Sequence, residues 1–300
     1  MPATLIVGSI AFDTLHIGGH CHTKVLGGSA TYASIAAAHF APVQLVGVVG
    51  RDFPASATQL LLDRKVDLAG LEVANGETFH WEGRYSDDLS SRETLRTDLN
   101  VFADFRPKIP ASFRSTPFVM LGNIDPTLQI EVLDQIDKPS FVLADTMNLW
   151  IDIRRPELVE LCKRLDVLVV NDEEARQLAG QSNLVRAARS LLALGPRTVI
   201  IKKGEHGALL LQGDDVFSLP ALPLEGVTDP TGAGDTFAGA LIGYLARAND
   251  LSTPALRRAM VYGSVLASFC VEGISTQRLA SATPAEVKAR FERFQRLTSF

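Results

Sequence analysis

The sequence has few cysteines, no long apolar run and no surplus of positive charge, and each shortage removes a class of protein. Cys21, Cys162 and Cys270 are the only three among 300 residues. Scattered and odd in number, they build no disulfide framework and fit a reducing compartment. No apolar run approaches the roughly 18 residues that a membrane span requires. The opening Met-Pro-Ala-Thr-Leu-Ile-Val-Gly goes straight into a strand pattern, without a basic leader or cleavage site. A cytoplasmic location with no membrane partner is therefore expected. Lys and Arg number 29 against 34 Asp and Glu, for a net charge of −5. That balance gives no electrostatic case for nucleic acid. Gly-x-x-x-x-Gly-Lys-Ser/Thr occurs nowhere, so a P-loop kinase is excluded. Internal repeats, low-complexity tracts and long linkers are also missing.

What is present is apolar residues, 46% of the chain, enough to bury a large core. Short apolar runs read as buried parallel strands at Thr4–Ile10, Val43–Val49, Phe118–Leu121, Phe141–Ala144, Val167–Val170 and Val199–Ile201, with helical patterns between them. A hairpin-like stretch covers Ala208–Leu211 and Val216–Leu219, and three helices close the chain near 234–249, 254–270 and 284–297. This alternation predicts an α/β fold, a doubly wound and mostly parallel sheet flanked by helices, as one domain over 1–300. Two segments break the rhythm. Residues 14–26 are rich in Gly and His, and residues 77–101 carry Phe79, Trp81, Tyr85, Thr94 and Thr97 in a surface-strand pattern. Together they predict a small sheet standing off the main body.

The richest stretch is Asp229-Pro-Thr-Gly-Ala-Gly-Asp235, followed by a helical pattern with Phe237, Leu241, Tyr244, Leu245 and Ala248 on one face. Pro230 requires a turn, and a glycine-rich turn opening a helix leaves N–H groups free to hold an anion, phosphate above all. A carboxylate placed there would oppose a simple phosphate ligand. It makes sense if Asp235 takes a proton from a nucleophile while the N–H groups of Ala233, Gly234 and Asp235 hold the transferring phosphoryl group. An Asp-Thr helix cap and a chance Gly-x-Gly are the ordinary alternatives for any part of the stretch. The whole run of seven is more specific than either.

Other groups gather at predicted strand ends. Asp13 follows the first strand, where open α/β sheets place ligands, and Gly27-Gly28-Ser29 with Tyr32 opens a helix. Asn171-Asp172-Glu173-Glu174 opens another helix and reads equally as a cap with an acidic first turn. Lys202-Lys203-Gly204-Glu205-His206-Gly207 ends a strand in a Gly-x-x-Gly turn, and Asp145 with Asn148 lies at a further strand end without an assigned role. His16, His20 and His22 would share a face under strand alternation, but Gly18-Gly19 interrupts it and no fourth ligand lies alongside. Gly239 and Gly243 suggest close packing of their helix on the sheet.

The Asp229–Asp235 stretch resembles the signature of the ribokinase-like (PfkB) carbohydrate kinase family, Asp-x-Thr-Gly-Ala-Gly-Asp. Nearly the whole chain follows the family's order of motifs. The resemblance implies a ribokinase-like fold whose small β-sheet lid often serves as a homodimer interface. It implies ATP and Mg²⁺ as cofactors, with Asp235 as general base and Gly232, Ala233 and Gly234 forming the anion hole. It places Asp13, Gly27, Gly28, Ser29 and Tyr32 at the sugar, where many members carry Asn in place of Tyr32. Asn171, Glu174, Lys202, Gly204 and Gly207 fall on the ATP side, with Glu174 acting on Mg²⁺ through water. Asp229 and Thr231 match positions involved with a monovalent cation, K⁺, in some members.

The expected activity is transfer of the γ-phosphoryl group of ATP to a hydroxymethyl group of a sugar or ribosyl compound. A free sugar, a nucleoside and a phosphorylated sugar stay open as substrates, the last because Arg84, Arg92 and Arg96 fall in the lid. A dinucleotide-dependent oxidoreductase would need a glycine where Phe237 stands and a motif after the first strand. A sugar sensor that kept the fold would have no use for Asp235.

Overall fold

The computed structural model describes residues 1–299. Its strands, in chain order, are β1 (Thr4–Val7), β2 (Ala11–Ile17), β3 (His20–Gly27), β4 (Val43–Val49), β5 (Val66–Val73), β6 (Phe79–Tyr85), β7 (Arg92–Asp98), β8 (Phe118–Leu121), β9 (Phe141–Asp145), β10 (Val167–Asn171), β11 (Thr198–Lys202), β12 (Ala208–Gln212) and β13 (Asp215–Leu219). The helices are α1 (Ser29–Ala37), α2 (Ala55–Leu62), α3 (Pro126–Leu133), α4 (Asn148–Ile153), α5 (Arg155–Cys162), α6 (Asp172–Ala179), α7 (Leu184–Leu192), α8 (Ala233–Ala248), α9 (Thr253–Cys270), α10 (Gln277–Ser281) and α11 (Pro284–Thr298).

Nine strands form the main sheet in the order β13-β12-β11-β10-β9-β8-β1-β4-β5. All its pairings are parallel except β11–β12 and β12–β13. Strand order runs outward from β1 in both directions, so the crossovers switch faces beside it, and ligands of such sheets bind outside the carboxyl ends there. Successive strand residues point to opposite faces. Ile6, Met120, Leu143, Val169 and Ile200 meet the α1, α8 and α9 side. Leu5, Val119, Val142, Leu168 and Val199 meet α3, α5, α6 and α7. The strands are therefore buried on both sides, which explains their unbroken apolar runs.

Two expectations change. Strand β5 was not expected, because Asp67, Gly70 and Glu72 interrupt its apolar pattern; it lies at the sheet edge, where one side meets water. Helix α8 is not apolar on one face only. Thr236 to Ala246 are all buried and Ala248 is exposed. The helix is covered nearly all round, as its composition permits. Gly239 and Gly243 let α8 approach α1 and not the sheet: a Cβ at Gly239 would lie 2.2 Å from the Ala33 carbonyl oxygen, and one at Gly243 2.7 Å from Ala37 Cα.

The second sheet has the order β3-β2-β6-β7. It unites the two predicted segments but begins earlier, at Ala11, so Asp13 is itself a lid-strand residue. Alternation places Asp13, Trp81, Tyr85 and Arg92 on one face, since Asp13 pairs with Trp81 and Tyr85 with Arg92. The histidines do not share a face as expected. The Gly18-Gly19 turn folds the ribbon back so that His16 pairs with Cys21, while His20 and His22 pair with Ile17 and Leu15. His16 instead meets Glu82 Oε1 at 2.7 Å, and His80 meets Thr14 Oγ1 at 2.9 Å.

Candidate active site

The carboxyl ends of β9, β10 and β11 deliver Asp145, Asn171 and Lys202 to one edge of the main sheet. Parallel registers align them: Asn171 pairs with Lys202, and Asp145 with Val169. Lys202 Nζ donates to Asp145 Oδ2 at 2.8 Å, with the two side chains 17% and 5% exposed. Burial pulls the Lys202 ammonium down, but the charges of Asp145 and Glu174 prevail and its pKa is raised. Asn171 caps α6. Its side chain accepts from the Glu174 N–H at 2.8 Å, and Glu174 Oε2 accepts from the Asn171 N–H at 2.7 Å. The reciprocal box fixes Glu174 almost fully buried beside Lys202. Burial raises the Glu174 carboxyl to about 7, against the pull of Lys202.

The Asp229–Asp235 turn lies opposite. Asp229 is completely buried; its two oxygens accept from the N–H groups of Thr231 and Ser275, each at 2.8 Å. Gly232 adopts φ +74, open to glycine but strained for other residues, and a Cβ there would lie 2.4 Å from the Tyr32 ring. Helix α8 starts at Ala233. The Ala233 N–H closes the turn onto the Pro230 carbonyl at 3.3 Å. Of the three donors expected to face an anion, that leaves the N–H groups of Gly234 and Asp235 without an acceptor on any other described residue. Gly234 faces Lys202: a Cβ there would stand 2.8 Å from Nζ.

Asp235 lies half-buried at the start of α8, and no other described residue hydrogen-bonds its carboxylate. Burial, then the charge of Asp145, raises its pKa to about 7, with Lys202 and Arg92 opposing. Asp13 is only 4% exposed, and its carboxylate likewise has no protein hydrogen-bond partner among the described residues. Gly27 backs directly onto it, since a Cβ would fall 2.1 Å from Oδ2. Burial, then Asp229 and Asp235, pushes Asp13 up to about 8. The Asp235 charge is thus felt at Asp13, and no other described residue hydrogen-bonds either carboxylate.

Some predicted residues take other places. Ser29 is spent on Ser9: its N–H and Oγ bond there at 3.0 and 3.2 Å, tying α1 to the end of β1. Tyr32 is 1% exposed and lies under Gly232. It offers no free ring face or open hydroxyl to a ligand, which corrects its expected place at the sugar; a phenol fills space beneath the turn. Gly204 and Gly207 line a pocket with Ala208, Phe237, Ser264 and Ala267, continuous with Lys202 and Gly234. Its small and apolar lining suits a flat ring. Sequence reasoning gave no role to Asp145 or Tyr85, and read Arg92 only together with Arg84 and Arg96 as a pointer to a phosphorylated sugar. The Tyr85 hydroxyl lies 2.9 Å from Thr231 Oγ1, pinning the lid to the turn across 146 residues, a separation that leaves no local signal.

Free amides at a helix start, a perturbed carboxylate beside them and a cation beneath are the parts of a phosphotransferase-type site on a doubly wound fold. The pfkB family carbohydrate kinase profile matches residues 2–283, and the chain belongs to that family. It is a kinase with an alcohol acceptor. The cytidine kinase of Thermococcus kodakarensis is 30% identical over 82% of this chain and 90% of its own. The Methanocaldococcus jannaschii nucleoside kinase structure aligns at TM-score 0.78 and 18% identity, over 98% of this chain and 99% of its own. An E. coli protein provisionally assigned as ribokinase II, solved with ATP and Mg²⁺, aligns at TM-score 0.80 and 18% identity, over 98% and 100%. No helix among the described residues is long and apolar enough to cross a membrane.

Proposed function

We propose that residues 1–300 act as one kinase domain in which Asp235 deprotonates a primary hydroxyl of a sugar or ribosyl compound. The substrate oxygen bonds to the γ-phosphorus of ATP, the β–γ bridging bond breaks, ADP leaves and the proton rests on Asp235. The Gly234 and Asp235 N–H groups hold the phosphoryl oxygens as charge develops, helped by Lys202 from below. The observation that carries this reading is the pair of carboxylates, Asp13 and Asp235, near enough for the Asp235 charge to act on Asp13 and neither of them hydrogen-bonded by another described residue. Asp13 fits vicinal hydroxyls, because two oxygens receive two donors.

Glu174 keeps one carboxylate oxygen outside the cap contact and would hold Mg²⁺ through water, whereas both Asp145 oxygens are taken, by the Thr146 N–H and by Lys202 Nζ. That ion would neutralise charge on the phosphate oxygens. The Asp229–Thr231 pair does not fit a monovalent cation as folded. Both Asp229 oxygens accept backbone N–H groups, and the Thr231 carbonyl accepts from Cys270 Sγ at 3.4 Å. No step is assigned to K⁺. Work in the cytoplasm, and pairing of two copies through the lid, complete the proposal. The His16–Glu82 and Arg96–Asp98 contacts give the far side of that lid a polar surface.

The test is ATP consumption with Mg²⁺ against ribose, other free sugars, phosphosugars and nucleosides. One group of acceptors should release ADP far above the acceptor-free rate; a uniformly flat panel would contradict the proposal. Asp13→Ala should raise KM for the accepted compound about ten- to a hundredfold, the worth of one charge-assisted hydrogen bond, with kcat less affected. An unchanged KM would remove Asp13 from substrate binding. Lid closure should protect amides of β2, β3, β6 and β7 from hydrogen exchange when acceptor binds. Equal exchange with and without acceptor would mean the lid does not close on it.

A further inference from the structure

We infer that Arg92, at the start of β7, is a catalytic residue carried by the lid, whose guanidinium binds the oxygens of the transferring phosphoryl group when the lid is down. The inference rests on the phosphotransfer reading above and adds a residue to it. Strand register places Arg92 opposite Tyr85 on the lid face that also carries Asp13 and Trp81. The Tyr85 hydroxyl is 2.9 Å from Thr231 Oγ1. That contact sets the Arg92 end of the lid against the turn holding the Gly234 and Asp235 amides.

The three lid arginines differ in partners. Arg84 pairs with Glu93 at 3.7 Å and Arg96 with Asp98 at 2.7 Å. Arg92 has no carboxylate within salt-bridge distance among the described residues. Its guanidinium carbon sits 5.3 Å from the centroid of the Trp81 ring, a contact that holds a cation in place without neutralising it. Trp81 is itself fixed by its Nε1–H donating to Thr94 Oγ1 at 3.2 Å, with its indole laid across Gly83. From there the Arg92 charge reaches Asp13, Glu174 and Asp235. The site gathers Asp145, Glu174 and Asp235 around Lys202, with Asp13 within reach of Asp235, and Lys202 is already paired. An incoming phosphoryl group adds negative charge to this acid-rich site. A planar guanidinium presents paired donors to phosphoryl oxygens. Mounted on a lid, it completes the site only after the acceptor is enclosed, which limits transfer to water.

The experiment compares wild type, Arg92→Gln and Arg92→Lys, with Arg84→Gln and Arg96→Gln as controls, using cytidine, ribose and a phosphosugar as acceptors. Arg92→Gln should lower kcat about 10²- to 10³-fold, the range for one donor to a developing oxyanion, with the KM of ATP and of acceptor changed far less. Added guanidinium ion should restore part of the rate to Arg92→Gln and none to the controls, which should retain wild-type kcat. Calorimetric titration with ADP, Mg²⁺ and aluminium fluoride should show weakened binding in Arg92→Gln, with ADP binding unchanged. Wild-type kcat in Arg92→Gln would overturn the inference, as would a loss confined to the phosphosugar, which would make Arg92 a reader of the acceptor's own anion. A wild-type enzyme that turns over ATP with none of the acceptors would instead remove the kinase reading on which the inference stands.

Discussion

Asp235→Asn should leave the fold and ATP binding intact and lower kcat by roughly 10² to 10⁴, the worth of a positioned base. The native carboxyl is raised from its ordinary 3.8 to about 7 by burial and by Asp145. It is therefore protonated and idle on the acid side, and wild-type kcat/KM should climb with pH and level off above about 7. The same shift has a consequence for stability. Between the unfolded value and about 7, the native state binds more protons than the unfolded chain, so stability is lost as pH rises through that window. Asparagine carries no such proton. The variant should melt above wild type at pH 8, and the gap should narrow toward pH 4. Thermal melts at both values, with a pH–rate profile, check this; near wild-type turnover in the variant would remove Asp235 from the mechanism.

Lys202→Met should be the most destabilising change in the site. The ammonium lies 2.8 Å from Asp145 and is raised by Asp145 and Glu174, so its loss leaves like charges facing one another with little water. Breaking such a buried pair on one side costs about 3–5 kcal/mol. The loss should be greatest near pH 8 and smaller near pH 5, where Glu174 and Asp235 take up protons instead. Lys202→Met with Asp145→Asn should recover part of the stability, because the uncompensated charge goes, and none of the activity. Denaturant melts of the two variants give the comparison. A single variant as stable as wild type at pH 8 would show that the pair is not holding this edge of the sheet together.

The parts of the site legible in the sequence were those whose chemistry is contiguous. Asp229 to Asp235 fold as one turn, and Asn171 with Glu174 caps one helix, so a few adjacent residues state both motif and geometry. The cap and the magnesium readings of Glu174 do not exclude each other, since one oxygen accepts from the cap N–H while the side chain lies beside Lys202. Contacts between distant segments were not legible. Asp145 meets Lys202 across 57 residues and Tyr85 meets Thr231 across 146, and no local pattern marks either. Tyr32 was placed by its motif but misread in role, because the motif says where a residue stands and not that Gly232 has no Cβ above its ring. Strand β5 was missed for a simpler reason: an edge strand can carry Asp67 and Glu72 toward water and lose its apolar signature.

The most direct test of the account is the identity of the product. Phosphorus and carbon NMR of a reaction with ATP, Mg²⁺ and an accepted sugar or nucleoside should show ADP and a phosphomonoester in equal amounts, with the phosphate on the primary carbon. Asp235→Asn should form that ester only at its residual rate. Inorganic phosphate released at the same rate with and without acceptor, and no ester, would contradict the assignment of Asp235 and its turn to phosphoryl transfer.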